Sequence, residues 1–100
     1  MLDKTTNIQE LKDIVKTFVE ERGWSKFHNP KNLSMSIAIE AAELMELYQW
    51  HDVSGDIGRV QEELADVVIY CLSLANTLEI DLTQAIMAKM IANAKKYPAG

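Results

Sequence analysis

Two pairs of acidic residues stand out in the sequence: Glu40 with Glu43, then Glu63 with Asp66, each pair three residues apart. On an α-helix that spacing places both carboxylates on adjoining turns of one face, and Glu46 extends the first row by three more. Like charges so placed repel by about 0.2–0.5 kcal/mol per pair unless a cation compensates them. Asp66 carries the sharper signal, because it is the only charge in the run LADVVIYCLSLA (residues 64–75), which is apolar around most of a helix. A carboxylate buried there without a partner costs several kcal/mol or takes up a proton. A hard divalent cation resolves the conflict, since magnesium accepts a few carboxylates together with water and phosphate oxygens. Ordinary solvated glutamates on helix faces are the competing explanation, and spacing alone leaves the two even. The sequence has no Glu-x-x-His pair, so a dinuclear iron bundle is poorly supported.

Four helical segments must position these groups, and no strand pattern competes with them. From Ile8 onward, Leu11, Ile14, Val15, Phe18 and Val19 recur at helical spacing, with Asn7 and Glu10 placed to cap the start and Gly23 to end it. Residues 24–31 hold aromatics, a histidine and Pro30 without a period, which predicts an ordered loop. A second helix is predicted over about residues 34–48, with Ile37, Ala38, Ala41, Leu44, Met45 and Tyr48 as its apolar stripe. Residues 51–56, with Ser54 and Gly55, predict a turn before a third helix over about residues 57–78. Asp81 and Gln84 then suggest the cap of a fourth helix carrying Leu82, Ile86, Met90 and Ile91 and stopping before Pro98. Short connections imply antiparallel neighbours in a bundle. The expected fold class is therefore all-α, a four-helix bundle in a single domain spanning residues 1–100.

Bulk properties narrow the partners. The 100 residues are 48% hydrophobic and 25% charged, more apolar surface than so short a chain readily hides, so self-association is expected. The formal net charge of -5 argues against a nucleic-acid polymer as ligand, because such binders cluster Lys and Arg against phosphates. An acidic protein that handles a polyanion needs a metal cation between the two. The single cysteine, Cys71, sits in an apolar run and reads as packing. Residues 1–10 carry Asp3, Lys4 and Glu10 without an apolar stretch, unlike a signal peptide, and residues 67–77 are far short of the roughly 20 needed to cross a bilayer. No membrane partner and a cytoplasmic location are expected.

The acidic pattern, with about twenty residues between its pairs, resembles the all-α nucleoside triphosphate pyrophosphatases of the MazG-like superfamily. RGWSKFHNPKNL (residues 22–33), EAAELMELYQW (40–50), EELADVVIYCLSLA (62–75) and KMIANAKKYP (89–98) are similar to the dCTP pyrophosphatases within it, in the same order and spacing. The resemblance implies an obligate helical oligomer; a tetramer built as paired dimers is expected because the third helix is apolar on more sides than one small bundle can cover. In it Glu40, Glu43, Glu63 and Asp66 bind Mg2+ and form the catalytic set, and an activated water attacks the α-phosphorus of a nucleoside triphosphate. It further implies base contacts at Trp24, Phe27, His28, Trp50 and Tyr70, and phosphate contacts at Lys31, Asn32, Lys89, Asn93, Lys96 and Tyr97. Val15 stands where the mammalian dCTP enzymes carry a histidine near the base, which implies looser selectivity.

Each of these assignments has a bland counterpart. Trp24, Phe27 and Trp50 could stack a base or plug the loop; His28 and Tyr70 could touch substrate or simply pack. Lys89, Asn93 and Lys96 share one helix face that could grip phosphates or merely be solvated. A non-catalytic helical interaction module is the alternative function. Phosphoribosyl-ATP and dimeric dUTP pyrophosphatases share the carboxylate pattern and rank lower, because they should lack the segment from Trp24 to Asn32.

Overall fold

A computed structural model of the chain describes residues 1–53 and 55–100, and among them the regular structure is helical, with no strand. Helix α1 (Ile8–Glu21) starts where the Asn7 side chain accepts the Glu10 amide. It closes where Gly23 turns left-handed at φ +67° and the Gly23 and Trp24 amides return to the carbonyls of Glu20 and Val19. A short 3₁₀ turn (Ser25–Phe27) follows.

Helix α2 (Pro30–Glu46) begins four residues earlier than the periodicity predicts. Asn29 caps it through the Asn32 amide at 2.8 Å, and Pro30 fills the first turn, where a missing N–H costs nothing. The aperiodic loop thus includes a helix start, and Leu33, which lies between the predicted loop and the predicted helix, is the most buried side chain among the described residues, 1% exposed. Helix α2 ends at Glu46 and leaves Tyr48 in a turn. Ser54 of the predicted turn lies outside the described residues.

Helix α3 (Ile57–Leu78) and helix α4 (Leu82–Lys96) follow the predicted bounds. Glu79 adopts a left-handed φ of 55° between them, and the Ile80 amide bonds back to the Ala75 carbonyl at 2.9 Å. Asp81 caps α4 through the Gln84 amide at 2.9 Å.

Packing is concentrated on α3, which is covered chiefly by α2 and less by α1; α4 makes only marginal contact with the rest. Among the described residues the buried apolar core is Leu33, Leu72 and Ala75. As the apolar excess predicts, the apolar run of α3 is not enclosed within one chain: Leu64, Val68 and Ile69 stay 42–50% exposed, and Asp66, expected to be buried, is half-buried. On α4, Ile86, Met87, Met90 and Ile91 are 49–59% exposed. The accessible surface of 7990 Å² compares with about 5,700 Å² for a folded monomer of 11.3 kDa. The radius of gyration is 15.8 Å, against about 13 Å for a compact chain of this length. Among the described residues no helix is long and apolar enough to cross a membrane.

Candidate metal centre

The extensive α2–α3 contact brings the two acidic rows together. Carboxylate oxygens of Glu40, Glu43 and Glu63 lie within 4.8 Å of one another, although Glu63 is twenty residues from Glu43. Glu40 and Glu63 are half-buried, and Glu43 faces out. One oxygen of each half-buried member, Glu40 Oε2 and Glu63 Oε2, is shut off from solvent with no hydrogen-bond partner. Three carboxylates this close, two with stranded oxygens, form an unfavourable arrangement unless a proton or a cation joins them.

The electrostatics follow from that crowding. The Glu43 carboxyl is held above its ordinary value of 4.5, first by the hydrogen bond and charge of Glu40, then by desolvation and by Glu46, against a lowering contact with Glu63. Glu63 is raised as well, first by desolvation, then by Glu43 and Asp66, while Arg59, one turn earlier on α3, pulls it down. Asp66 is outside the three-glutamate cluster and is felt there as charge. An all-oxygen, anionic set with orphaned lone pairs fits a hard divalent ion.

The aromatic residues are only partly assembled. The Trp24 ring meets Phe18 edge-on, with centroids 5.7 Å apart, and the Arg22 guanidinium lies 3.4 Å from the Phe18 centroid. This clamp at the end of α1 went unread in the sequence, although Phe18 and Arg22 at i and i+4 are its signal. His28 approaches Tyr70, with ring centroids 6.4 Å apart, and Thr77 Oγ1 donates to the His28 carbonyl at 3.4 Å, which ties the 3₁₀ turn to α3. Trp50 is 81% exposed beyond the end of α2, and no ring contact joins it to Trp24 among the described residues.

Phe27 is exposed beneath Lys26, whose Nζ is 5.2 Å from the ring centroid. Asn32 donates to the Phe27 carbonyl at 3.1 Å, and Lys31 is exposed in the first turn of α2. Lys89, Asn93 and Lys96 lie along α4, with Asn93 half-buried and Lys96 5.4 Å from the Tyr97 ring centroid. Because α4 hardly touches α2 or α3, these groups are not packed onto the carboxylates of their own chain.

This combination defines an all-helical protein whose centre is a carboxylate cluster shared by two packed helices. The MazG-like family model matches residues 35–100, and the chain belongs to that family. It is 36% identical over 102 residues to dCTP pyrophosphatase 1 of Homo sapiens, covering 92% of this chain and 59% of the relative. The Mus musculus protein of the same name is 35% identical over 100 residues, again with 59% of its length covered. The chain thus spans about 59% of the length of the curated relatives it matches. A solved pyrophosphatase from Archaeoglobus fulgidus superposes with a TM-score of 0.86 at 42% identity, covering 99% of both chains.

Proposed function

We infer that this chain is a magnesium-dependent pyrophosphohydrolase of deoxynucleoside triphosphates, dCTP foremost, yielding the monophosphate and pyrophosphate. The observation that carries the reading is the cluster of Glu40, Glu43 and Glu63, with two buried oxygens that lack partners. The likeness to proteins named dCTP pyrophosphatase and pyrophosphatase supports the reaction class.

In this reading Glu40, Glu43, Glu63 and Asp66 hold the ion, which when bound offsets triphosphate charge and makes a water easier to deprotonate. Glu43, the most exposed of the three clustered carboxylates, takes the proton of the attacking water. The water oxygen bonds to the α-phosphorus, the α–β bridging bond breaks, and pyrophosphate leaves with the electron pair. Trp24, Phe27, His28, Trp50 and Tyr70 hold the base. Lys31, Asn32, Lys89, Asn93, Lys96 and Tyr97 grip the phosphates by charge-assisted hydrogen bonds.

The residues on α4 act across a subunit boundary, in a homotetramer of paired dimers whose chains each form one domain over residues 1–100. What supports the assembly is the excess accessible surface and the apolar faces left open on α3 and α4. A nucleotide panel with and without EDTA, with products identified, tests the function. Magnesium-dependent dCMP and pyrophosphate are expected; no turnover of any triphosphate would leave a non-catalytic helical module.

A further inference from the structure

Beyond the carboxylates, α1, the 3₁₀ turn and α3 enclose a cleft of about 130 Å³ lined by Lys16, Val19, His28, Ser73 and Asn76, among others. Ser73 is 4% exposed, and its Oγ has no hydrogen-bond partner. A serine inside a helix ordinarily satisfies its hydroxyl on the carbonyl one turn back. Here it does not, and a buried hydroxyl left unpaired is unfavourable. Its neighbours are committed elsewhere: Asn76 Nδ2 donates to the Lys12 carbonyl at 3.0 Å, and Thr77 Oγ1 donates to the His28 carbonyl.

Asp66, Tyr70 and Ser73 follow one another at i, i+4 and i+7, on one face of α3. Ser73 is therefore about 10.5 Å along the helix from Asp66. That is the reach of a nucleoside whose α-phosphate sits at the carboxylates. The cleft is far smaller than the roughly 300–1,000 Å³ of sites that enclose whole drug-sized ligands. It therefore seats part of a nucleotide, such as the base, and not the whole molecule.

We propose that Ser73 is a specificity-determining residue, its hydroxyl hydrogen-bonding the polar edge of a pyrimidine seated in this cleft between α1 and α3. The inference rests on the nucleotide reading above and deepens it. Ser73 is both donor and acceptor, so it serves an exocyclic amine or a carbonyl, and a base without a group at that depth leaves the hydroxyl unpaired. Selectivity arises from that difference.

The test pairs kinetics with a binding measurement that needs no turnover. With wild type and Ser73→Ala, kcat and KM are measured for dCTP and dATP, and amide NMR spectra are titrated with deoxycytidine and with deoxyadenosine. Ser73→Ala is expected to lower kcat/KM for dCTP about fivefold, through KM, while changing dATP less than about twofold. Because it removes an unpaired hydroxyl, its Tm should not fall. Equal losses for both nucleotides, or no loss, would overturn the proposal and leave the hydrolase reading standing. If wild type hydrolyses neither nucleotide, the hydrolase reading fails. Deoxycytidine shifts at Ser73 and His28 that weaken in Ser73→Ala would then still uphold the cleft, and their absence would overturn it.

Discussion

Lys12 Nζ donates to the Ile80 carbonyl at 2.8 Å, and Asn76 Nδ2 donates back to the Lys12 carbonyl at 3.0 Å. Lys12 is only 9% exposed, so a nominally charged side chain in α1 latches that helix to the reversal between α3 and α4. The contact of α1 with α3 is otherwise limited, which gives the latch unusual weight.

Lys12→Met keeps most of the stem and deletes the donor, leaving the Ile80 carbonyl short of a partner. The expected loss is about 1–3 kcal/mol, seen as a Tm lower by several degrees. Thermal melting checks it, and an unchanged Tm would show that the latch contributes nothing.

For the carboxylates, Glu40→Gln, Glu43→Gln, Glu63→Gln and Asp66→Asn should each abolish most turnover. Without metal, Glu43→Gln should melt no lower than wild type, because it removes a charge crowded by Glu40 and Glu46. Activity assays and melts in EDTA check both halves. Near-normal rates in all four would remove the metal assignment.

The pH dependence follows from the upward shifts of Glu43 and Glu63. Folded-state values above 4.5 mean that the folded chain binds these protons more tightly than the unfolded one. Their contribution to metal-free stability therefore grows as pH falls through the raised values, and is lost as pH rises through them. Magnesium affinity moves the opposite way, since the ligands must ionise. Melts in EDTA across that window, wild type against Glu43→Gln, should show the wild type gaining relative to the variant on acidification. A gap that stays constant with pH would contradict the shift.

Trp24→Ala and Trp50→Ala should mainly raise KM, by about 5- to 150-fold, because stacking holds the base alike in ground and transition states. Lys89→Ala should also lower kcat, since charge on the departing pyrophosphate grows as the bond breaks. Steady-state kinetics separates the classes. If Trp50→Ala leaves KM unchanged for every nucleotide, the aromatic base site is wrong.

Light scattering should find a tetramer, and Met90→Glu, which places a charge on the open face of α4, should break it up and cut activity. A fully active wild-type monomer at micromolar concentration would refute assembly across α4.

Much of this was readable beforehand, for stated reasons. The caps at Asn7 and Asp81 are local side-chain chemistry and occur as expected. The equal spacing of the acidic pairs identified two rows, and helix packing joined three of their four members into one cluster. Pro30 hid a helix start because it breaks the apolar period while fitting the first turn. The open faces of α3 and α4 match the excess of apolar residues over what so short a chain can hide. Ser73 gave no signal at all, since an isolated serine in an apolar helix shows its lack of a partner only in three dimensions.

The most direct test is dCTP hydrolysis in H₂¹⁸O with and without magnesium, followed by ³¹P NMR and mass spectrometry. One dCMP carrying one ¹⁸O and one unlabelled pyrophosphate per turnover, lost on adding EDTA and in Glu63→Gln, is the predicted result. Label in pyrophosphate, release of inorganic phosphate, or hydrolysis indifferent to EDTA would contradict water attack at the α-phosphorus under the control of the Glu40, Glu43 and Glu63 cluster.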